Sequence, residues 1–299
     1  MNNPLVTVVM CTYNTETYIK KAIDSVLAQT FTDFEFIVWD DGSTDNTKEI
    51  VKSYSDNRIR YFYHENTGLG MALKLACAEA KGKYIARMDS DDICFPDRFA
   101  VEVDFLEKHP NHVLVSSAVY YIDENGNHIG RSFPCNADSV LKKILPISNM
   151  IVHPMVMMRR NAYERAGGYI PLKKCEDRVF WSRMSRLGKF YNIVTPLGQY
   201  RILQNSLSHS ENPYNNVLYE LRRKMILDDV IQESDVEWHN NLVEYSKPFT
   251  KKSHQEEMSR KETADERLFK IICIILGKEV SEKLIVSLKN WYYRRKLHV

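Results

Sequence analysis

Tyr84-Ile85-Ala86-Arg87-Met88-Asp89-Ser90-Asp91-Asp92 is the stretch whose reading decides the fold. Tyr84 to Met88 is a short, mostly apolar run, the pattern of a buried strand. It stops abruptly at three carboxylates, Asp89, Asp91 and Asp92. In an open α/β sheet, ligands bind beyond the carboxyl ends of the strands, so these acids fall where a ligand would sit. Three carboxylates so close repel one another, and burying them without a counter-charge is costly. Oxygen donors suit a hard divalent cation such as Mg²⁺ or Mn²⁺. A polar turn with an Asp capping the next helix would use the same letters, so the rest of the chain has to decide.

Outward from that stretch the same pattern repeats. Leu5–Met10 is β-branched and apolar, and it runs into the polar turn Cys11-Thr12-Tyr13-Asn14. Ile19, Ala22, Ile23, Val26 and Leu27 then recur at helical spacing. Phe34–Trp39 predicts a second strand, ending in Asp40-Asp41-Gly42-Ser43-Thr44-Asp45. Gly42 permits a tight turn, and Ser43 or Thr44 could cap a helix that turns Ile50, Val51 and Tyr54 inward. Arg58–His64 predicts a third strand, Met71–Ala80 a helix ended by Gly82, and Tyr84–Met88 the fourth strand. Strand and helix in alternation predict an α/β fold with a mostly parallel sheet. All four strands then finish on one rim, with Asp40 and Asp89 as neighbours.

Farther on, Pro96 opens a helix with Phe99, Val103 and Leu106 on one face. Val113–Tyr121 predicts a strand, Asp123–Gly126 a hairpin turn, Val152–Met158 a strand with His153-Pro154 at its edge, and Lys189–Val194 a short strand. Glu176-Asp177 opens a helix that buries Phe180, Trp181 and Met184. From about Ser206 the apolar positions fall on helical periods and charges are dense, which divides the chain into 1–205 and a mainly helical 206–299, with a looser segment at Lys247–Glu262.

Bulk properties exclude several classes. The 299 residues are 44% hydrophobic and 27% charged, as in an ordinary globular protein. A net charge of +2 provides no field for nucleic acid. Six dispersed cysteines, none in a Cys-x-x-Cys pair, read as free thiols of a reducing compartment. No basic region followed by an apolar stretch marks a signal peptide, and Ile271–Leu276 is far too short to span a bilayer. These features point to a cytoplasmic protein. No Gly-x-Gly-x-x-Gly follows the first strand, against a nicotinamide dehydrogenase, and no His/Cys set has zinc spacing.

Val8–Asn14, Val38–Asp45, Met88–Asp92 and Glu176-Asp177, in that order, resemble the inverting family 2 glycosyltransferases of GT-A fold. The resemblance covers roughly the first two-thirds of the chain, and four motifs in register are far more specific than one. It implies a UDP-sugar donor, a saccharide or lipid-linked saccharide acceptor, and single additions in surface polysaccharide synthesis; the Gln-x-x-Arg-Trp motif of processive synthases is missing. It places Asp40 on the uracil N3–H and Thr12, Tyr13 and Asn14 around base and ribose. Asp91 becomes the main metal ligand, with Asp89 on ribose and metal and Asp92 in support. Asp177 becomes the general base, with Glu176 orienting it or binding acceptor, and Arg201 meets the diphosphate from a closing loop. Where such enzymes continue with an aromatic and an acid, this chain has Arg178-Val179, so Arg178 could pair with Asp177 or bind acceptor or phosphate.

The tail carries a separate signal. Val280, Leu284 and Leu288 lead into Trp291-Tyr292-Tyr293, with Lys289, Arg294, Arg295 and Lys296 around them. A basic amphipathic helix of this kind could lie on the inner face of an anionic membrane or pack on the catalytic domain with a solvated end. Two alternatives share the acidic α/β rim: a nucleotide-sugar-binding module without turnover, and a nucleotidyltransferase releasing pyrophosphate.

Overall fold

A computed structural model describes residues 3–145, 149–203, 222, 225, 226 and 231–250, with the main chain alone at 242 and 244–250. Strands β1 (Val6–Thr12), β2 (Phe34–Asp40), β3 (Ile59–Tyr63) and β4 (Tyr84–Asp89) pair in the order β3-β2-β1-β4, all parallel. Every residue of β1 and β2 is buried, as parallel strands covered on both faces require.

Alternation along the strands builds two cores. Val9, Ile37 and Ile85 face one side, against Ala72, Leu73 and Ala76 of helix α3 (Leu69–Ala78). Val8, Met10, Phe36, Val38, Ala86 and Met88 face the other. There they meet Ile19, Ile23 and Val26 of α1 (Ile19–Leu27), and Phe99, Val103 and Leu106 of α4 (Arg98–Lys108). The short helix α2 (Thr47–Lys52) completes the second crossover. At the far end of the sheet, Gly82 N–H donates to Thr7 Oγ1 at 2.8 Å. A Cβ on Gly82 would come within 2.5 Å of Thr7 N, so only glycine lets the chain enter β4 beside β1.

Beyond β4 the sheet continues through β8 (Met157–Arg159), β6 (His112–Ile122), β9 (Lys189–Arg201) and β5 (Ile93–Cys94), with β7 (His128–Arg131) hairpinned onto β6. The long ladders are parallel, including β6 with β9; the antiparallel ones are short. The strand expected over Val152–Met158 is mostly replaced by a 3-10 turn at His153–Met155, because Pro154 has no N–H for a ladder. The strand expected to stop at Val194 runs to Arg201. It absorbs Pro196 at an irregularity in its register with β6, where a missing N–H does no harm.

Helices α5 (Asp138–Ile144) and α6 (Arg160–Arg165) flank this half, and α7 (Glu176–Met184) buries Phe180, Trp181 and Met184 as its sequence predicts. Helix α8 spans Glu233–Thr250, so the looser segment expected from Lys247 begins inside a helix. Asn240 on α8 accepts Lys173 N–H at 3.0 Å and donates to Pro171 O at 2.8 Å, clipping the approach to α7. Met225 and Ile226 pack with Leu172 and Val179. The basic aromatic tail lies outside the described residues.

Candidate active site

The parallel register sets the rim: Thr12 lies opposite Asp40, and Cys11 opposite Asp89. The loops after β1 and β2 are stapled to each other. Asn14 takes the left-handed conformation (φ 52°), and its Oδ1 accepts Thr44 N–H at 2.8 Å. Asn14 N–H donates to Ser43 Oγ at 2.9 Å, Thr15 N–H to Thr47 Oγ1 at 3.0 Å, and Glu16 N–H to Asp45 Oδ2 at 3.0 Å. Ser43 and Thr44 therefore bind the neighbouring loop rather than cap α2, which starts at Thr47 with Asp45 Oδ1 accepting its N–H.

Within this staple the expected donor residues divide. Thr12 is buried and shares a hydrogen bond with Thr15, while Tyr13 stands 50% exposed. Asp40 is fully buried. Its Oδ1 accepts Ser43 N–H at 2.8 Å and its Oδ2 accepts Tyr61 O–H at 2.7 Å, so the carboxylate braces the turn instead of presenting itself at the surface. Asp41 is engaged likewise, by Thr67 N–H and O–H and by Gly68 N–H.

The acids after β4 converge. One carboxylate oxygen each of Asp89, Asp91 and Asp92 lies within 4.8 Å of the others. Burial, then the charge of Asp89, pushes the Asp91 carboxyl up to about 6. Asp92 is pushed well up by burial and by both neighbouring acids. Its Oδ1 accepts Arg201 N–H at 2.7 Å, while its buried Oδ2 has no hydrogen-bond partner. Self-repelling carboxylates and an orphaned buried oxygen are what a hard cation would relieve, and the all-oxygen donor set fits Mg²⁺ or Mn²⁺. Asp92 does not cap a helix, since β5 intervenes before α4.

Two arginines frame this cluster. Arg87, two residues upstream in β4, is 3% exposed, and its Nη2 lies 2.5 Å from Asp89 Oδ1. Its Nε and Nη1 are buried without partners. Arg201 is not on a closing loop: it is the last residue of β9 and is 4% exposed. Its guanidinium donates to the main-chain carbonyls of Asp91, Asp123 and Glu124 and packs over the Tyr18 ring, so it holds the acid loop from beneath.

Helix α7 delivers the remaining acids. Cys175, at its N-cap, is left-handed (φ 64°), which turns the chain sharply into Glu176-Asp177. Glu176 is buried; burial and then Asp177 push its carboxyl up to about 8, with Arg87 opposing the shift. Asp177 is half-buried. Its Oδ2 accepts Asn149 Nδ2–H at 2.6 Å and its Oδ1 accepts Arg178 N–H at 2.6 Å. The Arg178 guanidinium turns to Leu145 O instead, so it does not pair with the Asp177 side chain. His153 shares a 2.8 Å hydrogen bond with Tyr169 O–H. Burial and the charge of Arg87 hold its ring neutral, although Nδ1 lies 3.7 Å from Glu176 Oε1.

The sequence model of Glycosyl transferase family 2 matches residues 7–167, more than half of the chain. The chain belongs to glycosyl transferase family 2. An uncharacterized glycosyltransferase of Methanocaldococcus jannaschii is 37% identical over 209 residues, spanning 68% of this chain and 72% of that relative. A Bacillus subtilis protein named EpsE is 33% identical over 214 residues, spanning 69% and 75%. Among solved structures, residues 1–349 of S. aureus TarS in complex with UDP-GlcNAc superpose with a TM-score of 0.63 at 19% identity, covering 90% of this chain and 81% of that TarS fragment. The mannosyltransferase PcManGT of Pyrobaculum calidifontis, solved with GDP-Man and Mn²⁺, gives a TM-score of 0.56 at 17% identity, covering 97% and 81%. At such identities the shared property is the fold, which is the GT-A fold.

For this family 2 glycosyltransferase, the motifs that end β1, β2 and β4 share one rim, but their letters divide the labour differently. Asn14, Ser43 and Thr44 join the loops, Asp40 braces them, and Arg201 sits below the acids. Three contributors carried no motif: Tyr61, Asn149 and Arg87. Only Arg87 had a visible signal, a cation inside an apolar strand run. Among the described residues no helix is long and apolar enough to cross a membrane.

Proposed function

We propose that this chain is an inverting glycosyltransferase that moves a hexose or N-acetylhexosamine from a UDP-sugar to a saccharide, lipid-linked in surface polysaccharide synthesis. The observation that carries this reading is the pairing of two acid groups of unlike character. One is the Asp89, Asp91 and Asp92 cluster, whose oxygens lie within 4.8 Å. The other is Asp177, whose two oxygens are both held as acceptors.

In this reading Asp91 and Asp89 hold a divalent cation, Mn²⁺ or Mg²⁺, and Asp92 supports it through its unpartnered Oδ2. A cation bound there supplies positive charge to the diphosphate as it leaves. Tyr13, exposed beside the stapled loops, lies against the uracil, and Thr12, Asn14 and Asp40 keep that loop in place. Asp177 takes the proton of the acceptor hydroxyl while that oxygen attacks the anomeric carbon. The bond from that carbon to the UDP oxygen breaks on the opposite face, and its electron pair leaves with UDP, inverting the configuration. Glu176, which burial and Asp177 push toward its protonated form, adds less negative charge where the base must work than an ordinary carboxylate would.

A panel of nucleotide sugars tested for thermal stabilisation with Mn²⁺, followed by product analysis, tests the proposal. UDP release with an inverted glycoside is expected. Pyrophosphate as product, or tight UDP binding without turnover on any donor, would assign the site to a nucleotidyltransferase or a binding module. Asp91→Ala should abolish the metal-dependent part of UDP stabilisation; if that part persists, Asp91 is not a ligand.

A further inference from the structure

We propose that Asn149 is a positioning residue for the base: its side-chain amide donates to Asp177 and fixes the carboxylate as a proton acceptor aimed at the reacting hydroxyl. The inference rests on the reading of Asp177 as the base.

The geometry has only one consistent assignment. Asn149 Oδ1 accepts Ile151 N–H at 3.0 Å, and Asn149 Nδ2 lies 2.6 Å from Asp177 Oδ2. Flipping the amide would set Nδ2–H against Ile151 N–H and an amide oxygen against a carboxylate oxygen. Both contacts are repulsive, so the Ile151 main chain dictates which atom faces Asp177. The second carboxylate oxygen accepts Arg178 N–H at 2.6 Å. A proton on Asp177 directed at either donor would displace that hydrogen bond. Asp177 is thus held as an acceptor through both oxygens, and among the described residues each oxygen takes one hydrogen bond.

Something of this kind is needed where Asp177 sits. Burial raises its carboxyl, and Glu176 and Cys175 are adjacent along the chain. Against burial stand Arg178 N–H, the charges of Arg178 and of Arg87 from β4, and the hydrogen bond from Asn149. The Arg178 guanidinium turns to Leu145 O and Cys175 Sγ, so among the described residues Asn149 is the side chain that donates to the Asp177 carboxylate.

Asn149→Asp isolates this role. An aspartate can still accept Ile151 N–H, preserving the local turn, but in its ionised form has no N–H for Asp177. Two readouts apply to the full chain. Carboxyl-labelled aspartate NMR, with the Asp177 resonance assigned through Asp177→Asn, should show the Asp177 midpoint moving to higher pH in Asn149→Asp and in Asn149→Ala. UDP release from the donor selected in the panel should fall in kcat by about ten- to hundredfold in both variants. Donor KM and thermal stabilisation by UDP with Mn²⁺ should stay unchanged. A lowered donor affinity with unchanged kcat would overturn the proposal, as would an unmoved Asp177 midpoint in the Asn149→Asp variant. If Asp177→Asn leaves UDP release intact, the base reading fails separately, and the NMR midpoint still decides whether Asn149 governs the carboxylate.

Discussion

Replacing Arg87 by methionine tests whether the acidic rim depends on an internal counter-charge. Arg87 is 3% exposed and its Nη2 lies 2.5 Å from Asp89 Oδ1. At an effective dielectric of about 20, a contact of that kind is worth roughly 5–7 kcal/mol of gross attraction. Two of its nitrogens, Nε and Nη1, are buried without partners, and each orphaned donor costs about 1–3 kcal/mol. The orphaned donors, with the several kcal/mol that desolvating a buried ion costs, offset most of that attraction, so Arg87 adds little stability as an isolated pair. Its larger effect is on the neighbouring acids, since Asp91 and Asp92 are both pushed up by burial and then by the cluster's own charge, and pulled back by Arg87. Asp89 is 27% exposed and can regain some water when the cation goes. We therefore expect Arg87→Met to lose about 1–3 kcal/mol without metal, below the full penalty of a broken buried pair. That corresponds to roughly 2–5 °C in Tm for a chain of this size. Saturating Mn²⁺ should restore most of it, because a cation would then neutralise the same carboxylates. Differential scanning fluorimetry with and without MnCl₂ measures both numbers. An equal Tm loss in the two conditions would refute the reasoning and reduce Arg87 to a packing residue.

Other tests follow from local geometry. Glu176 is raised from 4.5 to about 8, first by burial. The folded state therefore holds a proton that the unfolded state has lost, and stability must fall as pH rises between those values. Glu176→Gln removes that slope, so its stability advantage over the native chain should grow from pH 5 to pH 8 in chemical denaturation; parallel curves would contradict the protonated assignment. Cys175 occupies the left-handed region at φ 64°. Cys175→Gly should raise stability by up to about 1 kcal/mol and Cys175→Val should lower it by about 1–2 kcal/mol, readable from denaturant midpoints. Asn14→Ala removes the acceptor for Thr44 N–H and a residue type suited to φ 52°. It should cost about 1–2 kcal/mol and weaken UDP binding by calorimetry, because Tyr13 would lose its fixed loop.

Much of the architecture was legible because it is written in local periodicities. The buried runs at Val6–Thr12, Phe34–Asp40 and Tyr84–Asp89 declare interior strands, and the polar letters at and after their ends declare the rim on which the acids gather. The strand expected over Val152–Met158 failed where Pro154 overrode an apolar pattern, and β9 outran its expected end because pairing with β6 carried it past Pro196.

Chain order and side-chain chemistry by themselves determined the α/β alternation, the family and the acids that gather at the sheet's carboxyl edge. Only the tertiary structure decided what each polar side chain touches. Asp40 turned to Tyr61, Arg201 to carbonyls as far away in sequence as Asp91, and Asn149 to Asp177, 28 positions downstream. The physical reason is range. Backbone periodicity is set by neighbours a few residues apart, whereas a buried carboxylate or guanidinium must be satisfied by whatever donor or acceptor packing brings within about 3 Å.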